Sequence, residues 1–256
     1  MATFRADLHV HTVLSPCAEI EMIPPLIVAE ALERGITLIA ITDHNGTANI
    51  SAVQEAAAGS GLSVLPGMEL QTREDVHVLC LFDTLEQAQA WQALVDQALP
   101  PLRNQPEYFG DQLIVDKEGD FIAREERLLL VATSFSLEEA WQRVTDLGGL
   151  FIPAHVDRKT FGLIETLGFV PPTLPIEALE ISRHLKPNQI PSRLPQISGY
   201  PLIQSGDVHR LEEFLGSTFF EMDAPTIAEI RMALRGEKGR SCRILSTTTV
   251  PSATDC

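Results

Sequence analysis

Alternation opens this chain. Between Ala6 and His11, the residues Asp7, His9 and His11 fall on one side of an extended backbone and Leu8 and Val10 on the other. A period of two predicts a strand with one apolar and one polar face. Apolar runs of strand length recur at Thr37–Thr42, Leu62–Pro66, Val76–Phe82, Leu150–Ala154, Glu177–Ile181, Leu202–Ser205 and Thr218–Met222. Helical spacing fills the gaps between them. One helix starts at Pro24-Pro25, carries Leu26, Ala29 and Leu32-Glu33 at helical spacing, and ends at Gly35. Proline suits a helix start and glycine its end. Others are predicted around Ile50–Ala58, over Leu85–Leu99 before Pro100-Pro101, and over Thr226–Leu234 after Pro225. The helix at Ser136–Leu147 carries a full start signal, with Ser136 as N-cap and Glu138-Glu139 in the first turn.

The stretch Arg103–Leu130 breaks this rhythm. Two short strand-like pieces, Gln112–Val115 and Asp120–Ala123, flank the turn-prone Lys117-Glu118-Gly119, which predicts an inserted loop or hairpin. The Ser- and Thr-rich stretch 246–256 is expected to be a disordered tail. Strands alternating with helices predict a parallel α/β fold closed into a barrel, a single domain over residues 1–245.

Composition narrows the setting. The chain has 256 residues, of which 45% are hydrophobic, enough for one large core. No apolar run reaches membrane-spanning length and no leader pattern opens the chain, so a cytoplasmic location without membrane contact is expected. Cys17, Cys80, Cys242 and Cys256 show no paired spacing and are expected as free thiols. A formal net charge of −16 disfavours extended nucleic-acid binding, which needs a basic footprint. It does not exclude an anionic substrate, because divalent cations in one pocket reverse the local sign.

The polar residues can now be set on the strands. Asp43-His44 follows one strand, Glu69 the next, His155 another, and Asp207 with His209 a fourth. A parallel barrel presents its active site at these C-terminal strand ends. His77 is the exception, because it begins its strand. A lone histidine beside a strand is usually structural, and a lone carboxylate there is often a helix cap. Together with His9 and His11 they form a set too large for one ion, which suits two or three divalent metals bridged by a carboxylate.

Four motifs in order carry a resemblance: DLHVHT at 7–12, ITDHN at 41–45, PGMEL at 66–70 and SGDVHR at 205–210. The chain resembles the PHP (polymerase and histidinol phosphatase) superfamily of metal-dependent phosphoesterases over nearly all its length. The resemblance implies a distorted parallel (β/α)7-type barrel holding two or three ions of manganese, zinc, iron or magnesium. It implies that His9, His11, Glu69 and Asp207 hold one metal, that Glu69 bridges to a second held by His77 and His155, and that His44 and His209 hold a third. Asp7 and Asp43 would orient histidines, Asp43 close enough to act in catalysis. The first motif departs from the family's pattern. Pro16 stands where an aspartate ligand is common, which leaves Cys17 or Glu19 as substitutes.

Arginines beside these motifs, Arg158 first, then Arg183 and Arg210, are candidates for clamping a phosphate with paired hydrogen bonds. His184 is either a proton donor or a surface residue. The expected reaction is hydrolysis of a phosphate ester of a small molecule or nucleotide by a metal-bridging hydroxide. Two alternatives stay open: a nuclease acting on nucleic-acid ends, and a non-catalytic metal-binding regulatory module. Hydrolysis of a C–N bond uses the same ligand types and is also left open. Residues Arg231, Arg235, Lys238, Arg240 and Arg243 form the one dense basic stretch, read as a solvated helix end. The sequence names no protein partner.

Overall fold

The computed structural model describes residues 1–245, and the tail expected at 246–256 lies outside them. The chain begins with β1 (Ala2–Val10), α1 (Pro24–Glu33), β2 (Leu38–Ile41), α2 (Ile50–Ala56) and β3 (Ser63–Gln71). It continues through β4 (His77–Leu81) and α3 (Leu85–Ala98) to an irregular segment. That segment holds α4 (Pro106–Phe109) and an antiparallel hairpin of β5 (Leu113–Val115) and β6 (Phe121–Arg124). Then come α5 (Leu137–Asp146), β7 (Leu150–Pro153), α6 (Leu163–Leu167), β8 (Leu179–Ile181), α7 (Ile190–Arg193) and β9 (Leu202–Gln204). β10 (Thr218–Met222), α8 (Ile227–Arg235) and β11 (Ser241–Ile244) complete the described residues.

Seven strands form one curled sheet in the order β11-β10-β1-β2-β3-β4-β7. The parallel pair β8–β9 takes up the remaining side, with β8 beside β7 and β9 beside β11. The result is the α/β barrel class that the alternating pattern predicts. Strand direction is less uniform than expected. β1, β2 and β3 are parallel, but β4 is antiparallel to both β3 and β7, and β10 is antiparallel to β1 and β11. Chain length explains β4: only residues 72–76 join it to β3, and a parallel return needs a crossover of a dozen residues or more. β11 was not foreseen. Its SCRI run is short and lies inside the basic stretch, with no apolar alternation to mark it.

Alternate residues of the central strands sort onto two cores. Leu38 and Ala40, Leu79 and Leu81, and Leu150 and Ile152 pack with Ile227 and Ile230 of α8. Ile39 and Ile41, Val78 and Cys80, and Phe151 pack with residues of α1, α3 and α5, including Ile27, Trp91 and Ala140. Both sheet faces are therefore covered, as the continuous apolar runs imply. The cap at Ser136 forms as read. Its hydroxyl accepts from the Glu139 amide at 3.1 Å while the Glu139 carboxylate accepts from the Ser136 amide at 2.8 Å.

Candidate metal centre

Antiparallel β4 resolves the position of His77. Reversing the strand brings its first residue to the end of the barrel where β3 and β7 finish, opposite Gln71 and next to Glu69. All the strand-end residues then meet around one carboxylate. Glu69 is buried, and five imidazoles reach it: His9 Nε2 at 3.3 Å, His11 Nε2 at 3.4 Å, His44 Nδ1 at 2.9 Å, His77 Nδ1 at 2.8 Å and His155 Nε2 at 3.1 Å. Asp207 faces the same centre, with Oδ1 3.3 Å from His9 Nε2 and 3.5 Å from His11 Nε2.

The donor atoms gather in three overlapping sets, each within 4.8 Å: His9, His11, Glu69 and Asp207; His44, Glu69 and His77; and His11, His44 and His209. Imidazole and carboxylate are the donors that first-row divalent metals take. His9 Nε2, His11 Nε2, Glu69 Oε2 and His155 Nδ1 are buried without a hydrogen-bond partner. Orphaned buried polar atoms are costly, and a shared cation would satisfy three of these four at one point. The residues therefore fit divalent metal. The grouping differs from the expected one in three places. His44 joins Glu69 and His77, His155 reaches Glu69 but falls outside the sets, and His11 is shared between the first and third sets.

The histidines are held from behind. His9 Nδ1 donates to Glu180 Oε2 at 2.9 Å, which turns Nε2 inward. Glu180 Oε2 also accepts from the His155 backbone amide at 3.0 Å. His11 Nδ1 donates to Ser15 Oγ at 2.9 Å, and that hydroxyl donates to Asp43 Oδ1 at 2.7 Å. Such partners fix tautomer and ring direction. The Phe161 ring stacks on His77 with centroids 4.2 Å apart. Backbone strain collects here too: Asn45, His155, Phe161 and Asp207 have φ of 47°, 29°, 61° and 51°. Non-glycine residues at positive φ persist where the surroundings impose them.

Electrostatics follow from this crowding. Burial pushes His9 down, but Glu180, Glu69 and Asp207 reverse that and hold its pKa well above the usual imidazole range. Burial, then His209 and His44, hold His11 well below it. Burial opposes ionisation of Glu69, yet His77, His9 and His44 keep its pKa well below the carboxylate range.

Several expected residues fall elsewhere. Asp43 is fully buried behind Thr12 and Ser15, accepting from the Thr12 amide and hydroxyl at 2.7 Å each, so it supports the site and does not touch its cavity. Asp7 orients no histidine directly. It accepts from the backbone amides of Gly206, Leu215 and Gly216 and so ties the loop after β9 to β1. Arg210 and Glu19 bind each other, Nε to Oε1 at 2.5 Å, and neither lines the cavity or joins a donor set. A guanidinium and a carboxylate on exposed turns satisfy one another before either reaches inward. Arg183 pairs with Glu213 at 2.9 Å. Arg158 does line the cavity and pairs with Asp207. The cavity, ≈ 320 Å³, is also bounded by Cys17, Gln71, Leu130 and Phe161.

Glu180 and Ser15 were missed. Glu180 had a signal: a lone carboxylate flanked by Leu179 and Ile181 in a strand that is otherwise apolar. Ser15 had none, because only the fold brings it between Asp43 and His11.

Cys17 sits at the cavity mouth. Desolvation raises its thiol pKa, but His209 and His44 beside it bring it down to about 6. Burial pushes Cys242 up to about 12 and raises Cys80 as well. The thiolate is the reactive form, so alkylation of chelator-treated protein at pH 7 should modify Cys17 well before Cys80 or Cys242. Its rate should climb through pH 6 and level off above. Peptide mass spectrometry of iodoacetamide-treated samples across pH 5–8 reads this directly. Equal labelling of the three thiols, or a midpoint near the free-cysteine value of about 8.5, would contradict the geometry.

An α/β barrel with this donor set at one end is the framework of a metal-dependent hydrolase. Residues 7–153 match the PHP domain family, and the chain belongs to it. Over 80 residues the chain is 36% identical to the 5'-3' exoribonuclease Rnm of Salmonella typhimurium and 35% identical to that of Escherichia coli. Each match covers 29% of this chain and 26% of the relative, so the chain matches about a quarter of the length of these curated relatives. Among solved structures, the lesion-specific endonuclease PfuEndoQ of Pyrococcus furiosus shares the fold, with a TM-score of 0.69 at 20% identity. That match covers 94% of this chain and 58% of the endonuclease.

Proposed function

We propose that this protein is a metal-dependent phosphoesterase that hydrolyses nucleotide phosphate esters at the end of a short nucleic-acid strand. The convergence of five imidazoles on Glu69, in a cavity that Arg158 also lines, carries this reading. His9, His11, Glu69 and Asp207 would hold one ion, and Glu69 with His44, His77 and His155 a second. His11, His44 and His209 form the remaining set. Bound divalent metal supplies a nucleophile at neutral pH and offsets charge on the phosphoryl oxygens. The chain's own residues do the rest. Arg158 presents a planar guanidinium that matches two phosphate oxygens at once. Glu180 and Ser15 hold His9 and His11 in the tautomer that leaves Nε2 free. Phe161 fixes the plane of His77 and covers one wall of the cavity.

Similarity to an exoribonuclease over 80 residues supports a nucleic-acid end over an unrelated ester. A second reading, a small phosphomonoester, is favoured by the net charge of −16. One assay separates them. Chelated protein is reloaded with manganese, zinc, iron or magnesium and given 5'-labelled oligoribonucleotides, oligodeoxyribonucleotides, mononucleotides and sugar phosphates. The expected result is stepwise release of nucleotides from an oligonucleotide end, abolished by chelation and restored by metal. Hydrolysis of small phosphomonoesters alone would establish the second reading. Metal-loaded protein that cleaves no phosphate ester would overturn both.

A further inference from the structure

A second chamber of ≈ 340 Å³ adjoins the metal cavity, and Arg158 lines both. Its wall carries Arg193, His184, Glu165 and the Ser182–Asp157 pair. Asp157 is already committed, accepting from the Ser182 amide and hydroxyl at 2.6 Å each. Arg193 makes no ion pair among the described residues, which distinguishes it from the arginines of the dense basic stretch. There, Arg231 pairs with Glu177, Arg235 with Glu237, Arg240 with Asp223 and Glu229, and Arg243 with Glu221. The four arginines of the cluster conspicuous in sequence are therefore neutralised. A cation left free lines the chamber next to the catalytic cavity, delivered by the short helix α7, far from Arg158 in sequence. An unpaired guanidinium beside a phosphate-cleaving centre is the feature that recognises a further phosphate.

We infer that this chamber is the subsite for the neighbouring nucleotide of the strand, with Arg193 receiving the phosphate adjacent to the scissile one that Arg158 clamps. This rests on the nucleic-acid reading given above. Each chamber lies near the lower end of the roughly 300–1,000 Å³ range of ligand pockets, so each suits one residue of a strand rather than a large ligand. Glu165 suits a sugar hydroxyl, from which a carboxylate accepts a hydrogen bond, and not a phosphate, which it would repel. The arrangement confines the favourable charge to the immediate vicinity of the cut. It explains how a chain of net charge −16 could accept a strand end without a basic track across its surface.

The test compares Arg193→Glu with the unaltered protein on two substrates. A 5'-phosphorylated thymidine dinucleotide carries a scissile and an adjacent phosphate and so reaches both chambers, whereas p-nitrophenyl phosphate fills the metal cavity alone. The expected result is a KM raised about tenfold or more for the dinucleotide with kcat kept within about twofold, and no change for p-nitrophenyl phosphate. A tenfold effect is the size expected from one good charge-assisted phosphate contact, about 1.4 kcal/mol. In parallel, fluorescence anisotropy of a labelled trinucleotide on chelator-treated protein measures binding without hydrolysis. Arg193→Glu should weaken that binding and reduce its salt dependence, while Arg193→Lys should retain most of it. Equal kinetic effects on both substrates, or trinucleotide binding indifferent to Arg193, would overturn the subsite. If the protein proves to hydrolyse no phosphate ester, the catalytic reading fails by itself, and the anisotropy arm still decides whether Arg193 binds a strand.

Discussion

Glu69→Gln should nearly abolish phosphoester hydrolysis, lowering kcat by about three orders of magnitude. A metal centre contributes several kcal/mol of transition-state stabilisation, and each 1.36 kcal/mol is tenfold in rate. Glu69 is the one carboxylate shared by two of the donor sets, and it faces five imidazoles. Glutamine keeps the shape but removes the anion that holds cations in a pocket full of imidazoles. Elemental analysis should therefore find at least one metal equivalent fewer per chain. The metal-free fold should change little, because imidazoles deprived of an anionic neighbour can shed protons instead of remaining as buried charges. Thermal melts of chelated samples check that point. A variant with full metal content and unchanged kcat would remove Glu69 from the centre of the mechanism.

Glu180→Ala should have the next largest effect, although Glu180 binds no metal in the proposed arrangement. One of its oxygens holds both the His9 Nδ1 proton and the His155 backbone amide, and both are buried. Loss of a carboxylate that orients a metal-binding histidine typically costs 10–100-fold in metal affinity or activity. Here a strained backbone is also involved, since His155 has φ of 29° and its amide would lose its acceptor. A fall in metal affinity of about 100-fold is expected, together with a lower melting temperature in metal-free protein. Glu180→Gln keeps an acceptor for either proton and should recover part of both. Metal titration followed by calorimetry measures the first effect, and melts in chelator measure the second. If alanine and glutamine variants bind metal as tightly as the parent, His9 is oriented by other means.

The two carboxylates show how unevenly the chain discloses itself. Glu69 was legible because it ends a strand inside one of four ordered motifs. Glu180 lies mid-strand between leucine and isoleucine, outside those motifs; that setting marks it as unusual, but its contact with His9 is what defines its role. Arg210 and Glu19 show the opposite case. Each stands next to a ligand-bearing motif, but their mutual ion pair takes both out of the cavity. Proximity in sequence predicts which turn a side chain leaves from, and not the partner it meets. Arg193 shows the same limit, because the chamber it lines is assembled from segments after β7, after β8 and in α7.

By itself, the sequence determined what local periodicity and residue chemistry can determine. It set the strands and helices, because each buries an apolar face of fixed period. It set the metal-binding character of the chain, because His-x-His on a strand and carboxylates at strand ends have few other joint uses. Tertiary structure alone decided direction, grouping and support. The five-residue link between β3 and β4 reverses β4 and so brings His77 to the metal end. Strand neighbours decide which imidazoles share a carboxylate. Partners distant in sequence, Glu180 behind His9 and Asp43 through Ser15 behind His11, decide which ring nitrogen each histidine offers. These are properties of distances between segments, and a pattern read along the chain contains no distances across it.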